Sequence, residues 1–307
     1  MAQWALTPAS WLYAEIVKRR LDRQSDAEIA AKVISIGGVS MGGSGKTPVT
    51  RALRQRLIAC GRMPAVLSRG YGGAARGCHI VDPMIHGAAD VGDEPLLHAL
   101  DGLALISRDR LSGAQAAIRE GADTILLDDA HQNASLRKHL SMLVLDGPEG
   151  LGNGAVFPAG PLREPLERAL ARADCLVCVH GAQVPDGWRG PALHAALAAD
   201  GPAPHGPLLA FAGIAFPGRF LESLQRNGAD IVDLVPFPDH HPFTAKELLR
   251  LHGLARHHGA RLITTQKDWV RLPPAARGEI LSFNVSMRFE DLDALDHLLR
   301  QAVDGPP

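Results

Sequence analysis

Eight consecutive residues, Ser40-Met41-Gly42-Gly43-Ser44-Gly45-Lys46-Thr47, carry the groups that a nucleotide's phosphates require. Glycines leave the backbone free to turn its N–H groups inward around the β- and γ-phosphates. Lys46 adds an ammonium that reaches the phosphate oxygens, and the Thr47 hydroxyl is of the type that holds Mg²⁺. The general pattern opens on glycine, whereas Ser40 stands there in this chain. A glycine turn beside a chance Gly-Lys-Thr is the bland alternative. The flanks decide against it: residues 33–36 are apolar and β-branched, and 47–59 read as a helix whose N-terminus adds partial positive charge under the phosphates. The run therefore predicts ATP and Mg²⁺ as cofactors.

A second run, Thr124-Ile-Leu-Leu-Asp-Asp129, is an apolar strand ending in two carboxylates. Adjacent carboxylates beyond a buried strand repel unless a cation or a proton intervenes. Mg²⁺ keeps several waters and needs few direct carboxylates, so Asp128 and Asp129 are expected on the metal side, with the nearer of the two left open. A phosphoryl acceptor hydroxyl also needs a base. Asp93 is the candidate. It precedes Glu94-Pro95, where proline opens a helix, so capping that helix is its alternative role.

The elements that position these groups follow from hydrophobic patterning. Apolar strands at 33–36, 65–67, 103–107, 124–127, 142–145 and 175–179 alternate with helices, which implies a parallel sheet covered on both faces. Residues 181–207 are rich in Gly, Ala and Pro and read as a linker with a short strand near 192–198. A second alternation follows, with strands at 208–212, 231–235, 262–265 and 280–287 and helices at 217–227, 244–258 and 292–303. The expected fold is α/β, two units with a cleft between them: residues 1–190 around the phosphate loop and a smaller unit at 191–307. Residues 10–22 form an amphipathic helix. Leu12, Tyr13, Ile16, Val17 and Leu21 share one face and Glu15, Lys18 and Arg19 the other. It either docks on its own domain or lies on a membrane surface.

Composition narrows the class. Hydrophobic residues at 46% and charged residues at 21% support a buried core, and a net charge of -1 gives no global field for nucleic acid. Four cysteines are too few for a disulfide scaffold in 307 residues, and Cys175-Leu-Val-Cys178, inside an apolar strand, reads as core packing. No apolar run is long enough to span a membrane, and Glu15, Lys18, Arg19 and Arg20 interrupt any signal-peptide core. The histidine pairs at 240–241 and 257–258 lack partners at zinc spacing.

Several strings occur in order: Ser68-Arg-Gly-Tyr-Gly-Gly73, Val91-Gly-Asp-Glu-Pro95, Leu127-Asp-Asp129, Asn153-Gly154, Phe157-Pro-Ala-Gly-Pro-Leu-Arg-Glu-Pro165, Phe211-Ala-Gly-Ile214, Phe237-Pro-Asp-His-His241 and Thr264-Thr-Gln-Lys-Asp268. Together they resemble the tetraacyldisaccharide 4'-kinases of lipid A synthesis, over nearly the whole chain. Ser40 in the loop is also that family's form. The resemblance implies a P-loop kinase domain and a smaller α/β/α domain joined by a two-stranded linker, near 191–200 and 280–288. It implies transfer of the γ-phosphoryl of ATP to the 4'-hydroxyl of tetraacyldisaccharide 1-phosphate, giving lipid IVA. The implied place is the cytoplasmic face of the bacterial inner membrane, reached through the N-terminal helix by a monomer. It assigns Asp93 as base, partnered by His240, with His241 as second choice; Lys46 serves in catalysis. Arg69, Arg108, Arg110 and Arg163 lie in the family strings or at strand ends as candidate phosphate forks. Tyr71, Gln132 and Asn153 complete the expected substrate residues. The chain departs from the family at Ala130-His131-Gln132-Asn133, where Gly-Phe-Gln-His is frequent, and at Gln266, where Glu is frequent. A P-loop ATPase switch of the partitioning or metal-insertion type is the rival, but Met41 occupies the place of its signature lysine.

Overall fold

The structure, a computed structural model, describes residues 3–22, 27–41, 45–147 and 150–305, with side chains from residue 6 onward. The first half runs α1 (Gln3–Asp22), β1 (Lys32–Gly38), α2 (Lys46–Ala59), β2 (Pro64–Ser68), β3 (His79–Ile80), α3 (Ala88–Val91), α4 (Asp93–Ala99), β4 (Ala104–Ile106), α5 (Arg110–Arg119), β5 (Thr124–Asp128), β6 (Leu140–Asp146), α6 (Leu166–Leu170) and β7 (Cys175–Val179). The second runs β8 (Ala192–Ala199), β9 (Pro207–Ala212), α7 (Pro217–Arg226), β10 (Asp230–Pro236), α8 (Ala245–His257), β11 (Arg261–Thr265), α9 (Gln266–Trp269), α10 (Pro274–Arg277), β12 (Leu281–Phe283), β13 (Val285–Phe289) and α11 (Leu292–Asp304).

Two sheets result. The larger has the order β13-β8-β7-β6-β1-β5-β2-β4-β3, the smaller β10-β9-β11-β12. The inner strands of the larger sheet are parallel, and β1 lies between β5 and β6 with Ile36 opposite Asp128. Burial on both faces explains why β1, β5 and β7 read as continuous apolar runs. One face packs Ile34 and Ile36 against Leu53 and Leu57 of α2. The other packs Leu67 and Leu127 against Ala114 and Ala117 of α5. The phosphate loop thus leaves the centre of a sheet clamped on both sides.

The expected linker strands near 191–200 and 280–288 pair with each other at the edge of the larger sheet. Strand β8 extends the large sheet, and β13 returns to pair antiparallel with it, from Val285↔Ala199 to Phe289↔Ala195. Leu295, Leu299 and Val303 of α11 then enter the same core as Ile34 and Leu53. Only residues between β8 and β13 build the smaller sheet. The single strand expected at 280–287 is two strands, one in each sheet, and the units meet where α4 packs on α9.

Helix α1 starts earlier than the expected residue 10. It docks through buried Ser10, whose Oγ accepts a 3.0 Å bond from Ala159 N, and through Tyr13, set edge-on to Phe157 at 5.6 Å. Val17 and Leu21 are half-buried. Leu12 and Ile16 of the expected apolar face stay exposed, and Trp11 is 71% exposed. Among the described residues no helix is long and apolar enough to cross a membrane.

Candidate active site

The phosphate loop is held at both ends. At its start, Ser40 bridges Leu162, Met41 N donates to Pro161 O at 2.7 Å, and Arg163 N donates to Val39 O at 2.6 Å. The string 157–165 therefore straps the loop's entry. At its end, Gly45 has φ +111 and caps α2, and a Cβ there would lie 3.0 Å from Val179 Cγ2. Both the dihedral and the close approach demand glycine. Gly42, Gly43 and Ser44 lie outside the described residues. Lys46 opens α2, with Nζ 3.8 Å from Asp129 Oδ1.

The two strand-end carboxylates differ in environment. Asp128 is 2% exposed and receives His98 Nε2 at 2.7 Å and Thr47 Oγ1 at 3.3 Å on Oδ2, and Thr50 Oγ1 at 3.2 Å on Oδ1. Burial alone would raise its pKa; the His98 bond, with Lys46 and Thr50, outweighs burial and holds the carboxyl below its usual range. Thr47 spends its proton on Asp128, which leaves hydroxyl lone pairs for a cation. Asp129 adopts φ +51, and both its oxygens accept from Arg163 Nη1 at 2.9 Å. It is the counter-ion of Arg163 and Lys46, whereas Asp128 is the carboxylate bonded to Thr47. No cluster of three or more His, Cys, Asp or Glu able to cage a metal occurs among the described residues. That suits Mg²⁺, which takes its remaining ligands from waters and phosphates.

Asp93 starts α4 behind Gly92, whose φ of +91 and tight approach to Tyr71 O exclude a side chain there. Asp93 Oδ1 accepts from Glu94 N at 3.0 Å. Around Oδ2 stand three groups of the smaller unit: His240 Nδ1 at 3.0 Å, Arg271 Nε at 3.4 Å and Lys267 Nζ at 3.8 Å. None of the three is aligned as a hydrogen-bond donor, so buried Oδ2 keeps an open acceptor position. His240 sits at φ +58, and its Nε2 is 3.1 Å from Lys267 Nζ. An ammonium only donates, which places the ring proton on Nδ1, facing Asp93. His241 points elsewhere: it pairs with Glu247 at 3.0 Å and stacks on Phe237 at 4.9 Å. Arg271 is the brace behind this set. Its Nη1 and Nη2 each lie 3.0 Å from Gly213 O, and Nη2 lies 3.2 Å from Asp268. Asp268 also accepts from Gly213 N and Thr265 Oγ1, while its burial raises its pKa. Glu94 lies between the two halves. Burial, followed by the charges of Asp128 and Asp93, pushes its carboxyl up to about 7.

The expected substrate residues divide. Arg69 and Arg108 are exposed, and Tyr71 is 84% exposed, all open to a ligand. Arg110 is buried, donates to Ser107 O at 2.8 Å and is lowered to about 10 by burial, so it is not the open fork the strings suggest. Arg163 is committed to Asp129. Gln132 Nε2 braces Gly38 O and Glu164, both at 3.0 Å, and Asn153 ties its own loop through Ala159 O at 2.9 Å and Ala155 N at 3.1 Å. His131, where the family string has an aromatic, is buried against Ala169 O and depressed to about 3 by that burial. Sequence reasoning missed His98, Thr50, Glu94, Lys267 and Arg271. Glu94 and Lys267 stood inside quoted strings; the other three carry no local motif.

A parallel sheet with a glycine loop, lysine and threonine leading into α2, and a buried aspartate one strand away, defines the P-loop phosphotransferase class. Residues 2–304 match the family described as Tetraacyldisaccharide-1-P 4'-kinase. Proteins named tetraacyldisaccharide 4'-kinase from Hyphomonas neptunium and Maricaulis maris are 47% and 44% identical to it, over 96% and 99% of this chain and 90% and 92% of theirs. A crystal structure of LpxK from Aquifex aeolicus in complex with ATP superposes with TM-score 0.80 at 26% identity, covering 99% of this chain and 100% of that one. The chain belongs to the tetraacyldisaccharide 4'-kinase family.

Proposed function

We propose that the protein transfers the γ-phosphoryl group of ATP to the 4'-hydroxyl of a tetraacylated glucosamine disaccharide 1-phosphate, yielding lipid IVA for lipid A synthesis. The observation that carries this reading is the Asp93–His240 pair, assembled from both units and linked through α4 to the Asp128–Thr47 corner of the phosphate loop. Lys46 draws charge from the transferring phosphoryl. Asp93 Oδ2 takes the proton as the 4'-oxygen forms its bond to phosphorus and the bond to the β-phosphate oxygen breaks. His240, with Nδ1 3.0 Å from that oxygen, stands beside it as an electrostatic partner. Thr47 and Asp128 would hold Mg²⁺, which would supply charge neutralisation for the phosphates.

The substrate's acyl chains place the reaction at the inner membrane's cytoplasmic surface. The exposed Trp11, Leu12 and Ile16 on α1 supply an interfacial apolar patch, with Lys18, Arg19 and Arg20 for lipid phosphates. Exposed Arg69 and Tyr71 are the first candidates for the sugar and its 1-phosphate.

The test uses purified protein, labelled ATP, Mg²⁺ and the disaccharide 1-phosphate in detergent, with the bisphosphorylated lipid as product. Asp93→Ala should lower kcat by about 100-fold or more while ATP affinity holds. Wild-type protein that forms no bisphosphorylated lipid sinks the reading; ATP binding lost with kcat intact would make Asp93 structural.

A further inference from the structure

The buried histidine on α4 has no place in the chemistry described so far. His98 is 0% exposed, between Leu97 and Ala99, on a helix whose other buried residues after Asp93 are apolar. Its Nε2 meets Asp128 Oδ2 at 2.7 Å, a shorter contact than either hydroxyl makes to the same carboxylate. Its Nδ1 is buried with no hydrogen-bond partner. A histidine kept for packing alone would not leave a ring nitrogen orphaned, since an unsatisfied buried polar atom costs stability and an aliphatic side chain avoids it. The ring sits there for its other nitrogen.

We infer that His98 is a positioning residue for the magnesium corner. Its Nε2–H fixes Asp128 Oδ2, so that Asp128 orients Thr47 on one side and presents Oδ1 to the metal's water on the other. The inference rests on the kinase reading and deepens it. Three donors converge on Asp128 from two helices. Thr47 and Thr50 come from α2 and move with the phosphate loop. His98 comes from α4, the helix that begins with Asp93. The brace on the metal-side carboxylate and the carboxylate that accepts the proton are therefore mounted on one short helix, six residues long from base to brace counting both ends. A carboxylate free to rotate would trade its outer-sphere contact for a second bond to Thr50 or Thr47. Partners one layer behind a metal typically alter its affinity by about 10- to 100-fold when removed.

The experiment titrates Mg²⁺ against ATP binding by calorimetry, in full-length wild type and in His98→Leu, His98→Met and His98→Gln. Glutamine places an amide N–H near the position of Nε2 and retains the donor, while leucine and methionine fill the space without one. The expected result is a Mg²⁺ midpoint raised about tenfold or more in His98→Leu and His98→Met, metal-free ATP binding unchanged, and His98→Gln within about threefold of wild type. An unchanged midpoint in the apolar variants overturns the assignment, as does a loss in His98→Gln equal to theirs, which would indicate shape rather than donation. If neither apolar variant folds while His98→Gln does, His98 is a structural brace and the assignment is again overturned. Wild-type protein that binds Mg²⁺ and ATP normally yet phosphorylates no lipid refutes the kinase reading alone. Wild type that binds no ATP refutes both.

Discussion

Arg271 is the sharpest test of how the smaller unit serves the base. It is 4% exposed and binds four groups from three segments: Gly213 O, Lys267 O, Asp268 and Asp93. Arg271→Ala leaves Asp268 fully buried with its Gly213 and Thr265 donors but without its cation, and leaves the Gly213 carbonyl short of donors. Removing one partner of a buried pair costs roughly 3–5 kcal/mol, and the surviving donors put this case near the lower end, about 3 kcal/mol. For a chain of 307 residues melting as one unit, that lowers the midpoint by roughly 5 °C. Catalysis should fall further than stability suggests, because Asp93 loses its nearest fixed neighbour besides His240. We expect kcat down by about tenfold or more at temperatures where the variant stays folded, with ATP affinity within about twofold of wild type. Arg271→Lys keeps one charge but not the fork, so it should recover part of the melting loss and little of kcat. Differential scanning fluorimetry and steady-state kinetics check both. A variant with wild-type kcat and melting point would show that the 3.4 Å approach to Asp93 has no consequence, and the account of the base would fail.

Three further outcomes follow from the same geometry. Lys46→Ala strips charge from the transferring group and should cut turnover by about 100-fold or more; near-normal turnover in the lipid assay would remove Lys46 from the mechanism. Glu94 is raised from 4.5 to about 7 in the folded protein, so its neutral form favours folding; that contribution is complete below pH 4.5 and fades as pH climbs through about 7, amounting to at most about 3 kcal/mol. Glu94→Gln should therefore flatten the fall in metal-free melting temperature between pH 5 and 8 that wild type shows, and parallel profiles for the two proteins would contradict it. Trp11→Ser with Ile16→Ser should weaken sedimentation with anionic vesicles by roughly tenfold and leave melting nearly unchanged, because both side chains face solvent; equal sedimentation would move the membrane contact off α1.

The phosphate loop and its strands were legible because their physics is local. Glycine freedom, a β-branched run and a helical period all fall within residues 33–59, and burial on both faces of β1 and β5 leaves an unbroken apolar signature. Short elements such as β3, α6 and α10 escaped because they are too brief to show a period. The split of 280–287 into β12 and β13 escaped for a different reason: the alternation continues through Asn284, while the partner sheet changes. Polar loop residues were the hardest to read. Gln132, Asn153 and Arg163 have the right types for a sugar phosphate, and each also bonds a backbone carbonyl or a carboxylate that only the folded loop brings near. His98 and Arg271 show the converse, ordinary residues made decisive by burial beside groups far away in the chain.

That pattern has a consequence for how the two units share the work. Lys46, Thr47, Thr50, His98 and Asp128 all belong to the larger unit and make their contacts there. Asp93 alone among the reactive groups takes its surroundings from the smaller one, through residues 240, 267 and 271. Further bridges between the units include Arg51 of α2, which donates to Gln266 at 2.6 Å, and Arg277, which donates to Pro83 O at 3.3 Å. Nucleotide binding and phosphoryl transfer are thus separable by construction. Changes at the unit interface should cost transfer first, since they disturb the base and leave the phosphate cradle whole. With Gln266 as acceptor, the Arg51 contact between α2 and α9 is a neutral-acceptor hydrogen bond rather than an ion pair, the weaker of the two kinds.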